Sequence, residues 1–211
     1  MARKYRDTTL ASETYATARK EVGVDAVSWR RPAYSLFLPI AIIAFFWPST
    51  VLFAEGVQSR ARTCETRSEP ILREAREVLN TFGLPPYFLA LALAESCGKT
   101  AARSDKGAVG LWQLMPHTAR TYGFVPDGRY DVDTSTHIAA RYLRHLLAMF
   151  DGDLMWTVAA YNAGGHNLKR ATGYRRGMDF ERVRSVYPKA YALAITVRAY
   201  ARELGYEEER Q

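Results

Sequence analysis

Cysteine is scarce in this chain: two of its 211 residues, Cys64 and Cys97. No His–Cys constellation surrounds either, which excludes a thiol nucleophile as the basis of its chemistry. The four histidines, His117, His137, His145 and His166, show no metal-ligand spacing such as His-Glu-x-x-His, so no metal site is expected. Period-two alternation is missing over any useful length, which leaves a mainly α reading. A concentrated basic stripe interleaved with aromatics is missing too. The net charge is +7, but the excess is spread thinly, and Arg175-Arg176 with Arg182 and Arg184 reads as a solvated face. Nucleic acid is therefore not a partner, whereas a mild positive balance suits polyanionic wall or membrane surfaces.

Charge disappears altogether from Ala33 to Ala54, where Leu, Ile, Phe and Ala dominate. That run approaches the ~20 residues needed to span a bilayer, and Arg30-Arg31 just before it would stay inside by the positive-inside rule. Two readings stand. Residues 34–54 form a transmembrane signal anchor, or they are a signal peptide whose uninterrupted apolar core, Ile40–Trp47, is confined by Pro39 and Pro48. Either way the remainder is exported, with 1–33 as a basic cytoplasmic segment and 55–68 as a linker. In an oxidising compartment Cys64 and Cys97 either pair or remain two buried thiols. An apolar content of 48% supports one domain over 69–206, since domains cluster near ~100–150 residues; an acidic tail, 207–211, follows.

Within that domain the apolar spacing predicts a helix opening at Glu69-Pro70, with Ile71, Leu72, Ala75, Val78, Leu79 and Phe82 on one face. Pro85-Pro86 starts a second helix, Tyr87 to about Cys97. Glycines punctuate 98–110 as a loop. Pro116–Tyr122 is a short helix ended by Gly123, and Ser135 is a candidate N-cap for a helix through Met149. Leu154–Ala163, ended by Gly164-Gly165, and Pro188–Leu204 complete the set. The second helix carries the residue that most needs explaining, Glu95 in Ala92-Leu93-Ala94-Glu95-Ser96. Burial disfavours the charged form of a carboxyl, and a raised pKa is how a general acid keeps its proton near neutrality.

Glu95-Ser96, Ala102, Ser104, Gly107-Ala108, Gly110-Leu111, Gln113, Met115-Pro116 and Thr118-Ala119 together resemble, without a gap, the signature of the soluble-type lytic transglycosylases of family 1. Ala159-Ala160-Tyr161-Asn162-Ala163-Gly164 resembles a second signature of the same family. The likeness covers roughly Ile71 to Tyr200 and implies a goose-type lysozyme-like helical fold. Departures exist: Trp112 stands where Met is frequent, Gly98-Lys99-Thr100 replaces aromatic-Asn-Pro, and Ser135 and Ala139 replace Asn and Gly. The acidic-Thr-Arg pattern near the last helix is absent.

The resemblance implies a bacterial periplasmic enzyme acting on peptidoglycan glycan strands, with Glu95 as sole catalytic carboxylate and no cofactor. Ser104 would orient that carboxyl, Gln113 and Met115 would line the sugar subsites, and Tyr161 and Asn162 would face it across the cleft. Trp112 is either a sugar platform or core, and Ser96 forms either a structural or a catalytic hydrogen bond. Asp105, Asp131 and Asp151 occupy turn-like segments where Asp is expected without catalysis. The rival readings are a goose-type hydrolase that places water with a second acid, and a non-catalytic wall-binding module of a secretion, conjugation or phage assembly.

Overall fold

A computed structural model describes residues 47–123 and 128–206, with side chains from Gly56 onward. The basic segment 1–33, the hydrophobic segment as far as residue 46 and the tail 207–211 lie outside the described residues. Among those described, eight helices and two isolated β-bridges make up the regular structure, and no helix is long and apolar enough to cross a membrane. The fold is mainly α, as the residue patterning implies.

Helix α1 spans Trp47–Thr81 and passes through Pro70 without breaking. The expected helix start at Glu69-Pro70 is thus corrected: residues 55–68, read as a linker, belong to the same helix and bury Ala61, Cys64 and Ser68. Pro70 lies on the exposed face, where water can take the carbonyl its missing N–H leaves free. Helix α2, Tyr87–Ser96, is buried at every position from Tyr87 to Leu93. A helix apolar all round belongs in a core, and α2 packs against both α1 and the last helix, α8. Each of Phe88, Leu89, Leu91 and Leu93, at most 1% exposed, contributes about 1.5–3 kcal/mol of burial.

Three further helices follow along the chain. Helix α3 is Pro116–Tyr122, α4 Val132–Met149 and α5 Leu154–Ala163. The N-cap of α4 is Asp131, whose carboxylate accepts Thr134 N–H at 2.8 Å, and not Ser135, which lies fully buried one turn inside. Asp153 caps α5 likewise, accepting Trp156 N–H at 3.0 Å. Gly165 opens a further helix, α6 (Gly165–Thr172), instead of only ending α5; α7 is Glu181–Val186 and α8 Pro188–Glu203. Neither α6 nor α7 is predicted by the apolar spacing. Trp156 and Phe150, with ring centroids 4.7 and 4.8 Å from that of Tyr174, hold the base of α5.

Candidate active site

Glu95 sits in the last turn of α2, where the helix leaves the core and burial changes from complete to partial. Cys97 stops the helix in the left-handed region, φ +52°, and its N–H bonds Leu93 O at 2.8 Å. Burial pushes the Glu95 carboxyl up to about 7. Desolvation is the cause, and among the described residues no cation or carboxylate neighbour contributes. A second acid close by would add a like-charge term; Asp131 is instead spent on the α4 cap, Asp151 lies beside Tyr174, and Asp105 is exposed.

Residues 102–115 form a wall built from backbone more than from side chains. Val109 and Leu114 exchange both N–H···O bonds, at 3.2 and 3.0 Å, and Gly110 N–H reaches Ala102 O at 2.8 Å. Gly110 adopts φ +82°, and a Cβ there would stand 1.9 Å from Arg129 O, so only glycine fits. Arg129 was not singled out from the sequence, where it is one basic residue in a turn. Its Nη1 donates to Gly107 O at 3.2 Å and to Leu114 O at 3.1 Å, tying the two legs of the wall together.

The wall places four of the resemblance-derived residues. Gln113 takes a left-handed φ of +47°, and its amide Nε2 donates to Gly110 O at 3.1 Å and Ala102 O at 3.3 Å. Met115 is half-buried in extended backbone as the N-cap of α3. The Ser104 hydroxyl accepts Ala108 N–H at 3.0 Å, inside a turn that also pairs Ser104 N–H with Ala108 O at 2.9 Å. The hydroxyl thus takes part in its own turn as an acceptor, and its O–H proton stays available to a further partner. Trp112 is core: it is fully buried, and its Nε1 donates to Thr136 Oγ1 at 2.9 Å.

Helix α5 supplies the third side. The Tyr161 hydroxyl donates to Trp112 O at 2.8 Å, linking the helix to the wall. Its phenol lies well above the ordinary range, first through burial, then through the Glu95 charge and Tyr142. Tyr161 and Glu95 are thus electrostatic neighbours. Asn162 is exposed, because the next residue on a helix turns about 100° away; Tyr161 and Asn162 do not share a direction. Ser96 is structural, its hydroxyl donating to Ala92 O at 3.1 Å.

Tyr142 is the site neighbour that the residue patterning missed, since a tyrosine on the inner face of α4 reads as plain core. Its ring lies 5.2 Å from Tyr161 and 5.0 Å from Tyr122, and burial with Tyr122 pushes its phenol up to about 12. The aromatic run continues to His145 and His166 and lines a cavity of about 240 Å³ with His117 and Asn167. Among the described residues, no cluster of His, Cys, Asp or Glu is placed to hold a metal ion. The arrangement offers one carboxyl of raised proton affinity beside a phenol, with an aromatic-lined cavity along α3, α4 and α6.

Comparison with known proteins adds to this geometry. The family model of the transglycosylase SLT domain matches residues 76–183. The membrane-bound lytic murein transglycosylase D of Escherichia coli (strain K12) is 34% identical over 142 residues, covering 61% of this chain and 31% of that protein. The soluble lytic murein transglycosylase of the same strain is 31% identical over 99 residues, covering 43% and 15%. Among solved structures, the 70 kDa soluble lytic transglycosylase of Escherichia coli superposes with a TM-score of 0.54 at 26% identity, over 62% of this chain and 24% of that one. An inactive mutant of the lytic transglycosylase Slt from Pseudomonas aeruginosa gives 0.52 at 26% identity, over 65% and 24%. The chain thus spans about a third or less of the length of these curated relatives.

Proposed function

The chain belongs to the transglycosylase SLT domain family, and from that premise we propose that it cleaves the β-1,4 bond between N-acetylmuramic acid and N-acetylglucosamine in peptidoglycan without consuming water. The observation that carries this reading is the Glu95 carboxyl. It is half-buried and lifted to about 7 by desolvation, and among the described residues no second carboxylate acts on it. Glycosidases commonly use two acids, and the exceptions recruit the substrate itself. A 2-acetamido sugar can do so, because its carbonyl oxygen stabilises the positive anomeric carbon.

In this mechanism protonated Glu95 gives its proton to the glycosidic oxygen as the bond from that oxygen to C1 of the muramoyl residue breaks. The acetamido oxygen holds the developing charge at C1. Glu95, now a carboxylate, takes the proton of the muramoyl 6-hydroxyl, whose oxygen bonds to C1 and closes a 1,6-anhydro ring. One proton leaves Glu95 and one returns, so the enzyme ends as it began. Tyr161 borders the acid and, as a neutral phenol, leaves its proton affinity to desolvation. Gln113 and Met115 line the glycan path along the wall, and Asn162, exposed at the end of α5, meets the sugar from the open side. Peptidoglycan as substrate places the domain outside the cytoplasmic membrane, with residues 34–54 as anchor or export signal.

Mass spectrometry of digested peptidoglycan tests the reading. Muropeptides ending in anhydro sugars, one water lighter than reducing ends, are expected. Reducing ends alone would replace the lyase with a hydrolase, and intact peptidoglycan would replace both with a binding module.

A further inference from the structure

The C-terminal end of α2, which carries Glu95, is not held as the rest of that helix is. From Tyr87 to Leu93 it is packed on all sides, but past Glu95 the chain enters turns and borders a cavity of about 420 Å³ lined by Arg67, Ile71, Lys99, Thr100 and Ala102. Few side chains press on it from that side. Three contacts with α1 take their place. Cys64, buried in α1, and Cys97, two residues beyond Glu95, form a disulfide with Cα atoms 4.9 Å apart. The Ser68 hydroxyl, one turn along α1, donates to Cys97 O at 3.3 Å. Gly98, φ +74°, lies so close that a Cβ would stand 1.7 Å from Ser68 Oγ. All three fall on the two residues that end the helix, and one is covalent.

We propose that Cys64 and Cys97, with Ser68 seated on Gly98, form a brace whose task is to position the Glu95 carboxyl, so that reducing the bridge impairs proton transfer in a chain that stays folded. The proposal rests on the catalytic reading of Glu95 for its effect on turnover, but not for its effect on the carboxyl itself. Cys64 and Cys97 are positioning residues that touch no substrate. A displacement near 1 Å of a reacting group can cost about 100-fold in rate, and a loosened helix end also admits water to a group whose proton is kept by desolvation. Opening the brace therefore lowers kcat, leaves KM nearly unchanged, and moves the Glu95 titration toward the ordinary carboxylate range. A bridge that merely stabilised the fold would lower the melting temperature and leave that titration where it was.

The experiment uses the full 211-residue chain, oxidised and then reduced with a phosphine, with free thiols counted and the fold checked by circular dichroism. Glu95 is titrated by carbon-13 carboxyl NMR, and turnover is measured on purified peptidoglycan. Expected on reduction is a kcat lower by roughly ten- to a hundredfold, a Glu95 midpoint displaced downward from about 7, and recovery of both on reoxidation. Because the reduced chain could unfold, a second form is made, C64A/C97G: alanine keeps the buried α1 position apolar, and glycine accepts the left-handed helix end without strain. It should reproduce the reduced protein. An unmoved Glu95 midpoint with both thiols free overturns the proposal, as does loss of fold in both forms, which would make the bridge a staple of the whole domain. An oxidised chain without turnover counts against the enzyme reading, while the NMR titration still decides this one.

Discussion

Helix α2 and the wall, both linked to Tyr161, are ordered by opposite means. In α2 seven consecutive residues are buried, and the helix is held by apolar side chains; a carboxyl placed where that packing ends is desolvated without a dedicated partner. In the wall, residues 102–115, order comes from backbone pairing and from left-handed residues at Gly107, Gly110 and Gln113. The contrast teaches a division of labour. Side-chain packing sets the proton affinity of the Glu95 carboxyl, and backbone geometry sets the shape of the wall.

The largest effect should come from removing the acid. Glu95→Gln keeps the shape of α2 and removes the transferable proton, so turnover on peptidoglycan should fall by about 10²–10⁴-fold, with the melting curve showing no loss of fold. Retained activity would break the account of α2. On the wall, Gly110→Ala should cost about 3 kcal/mol or more, since the new methyl meets Arg129 O at 1.9 Å in a left-handed conformation. Urea denaturation measures it, and a cost below about 1 kcal/mol would show that the wall tolerates what its backbone geometry forbids.

The link between the two regions is tested by Tyr161→Phe, which removes the bond to Trp112 O and leaves that carbonyl without this donor. A loss of about 1–2 kcal/mol is expected, with a measurable drop in kcat as the wall shifts away from Glu95. A pH-dependent effect is the most diagnostic of α2. Burial raises Glu95 in the fold to about 7 from its ordinary 4.5, so between those values the folded state keeps a proton that the unfolded state has released. Its contribution to stability is full below 4.5 and is lost as pH rises through 7. Glu95→Gln, neutral throughout, should melt roughly ten degrees above the parent chain at about pH 8 and level with it at about pH 4. Equal melting temperatures at both pH values would mean that Glu95 is solvated.

How much of this was legible in the sequence followed the same division. Helix α3 and helix α5 are bounded where Pro116, Gly123 and Gly164 put them, because caps and stops are local chemistry. Glu95 announced itself by its apolar neighbours. Glu69-Pro70 misled as a helix start because an exposed proline inside a long helix looks the same as one at its opening. Helices α6 and α7 escaped because each buries so little: Gly165, Leu168 and Thr172 in one, Val183 in the other. On the wall, residue identities were readable but their partners were not. Whether Ser104 closes its own turn, and whether Arg129 ties Gly107 to Leu114, is fixed by contacts between chain-distant or turn-forming backbone groups that no periodicity encodes.

The central claim is that a single desolvated carboxyl serves as acid and then as base, with the substrate's own hydroxyl as nucleophile. Digestion of peptidoglycan in oxygen-18 water tests it directly. The account predicts released muropeptides with anhydro ends and no oxygen-18 at C1. Oxygen-18 at C1 of the muramoyl products would show that water is the nucleophile and would contradict it.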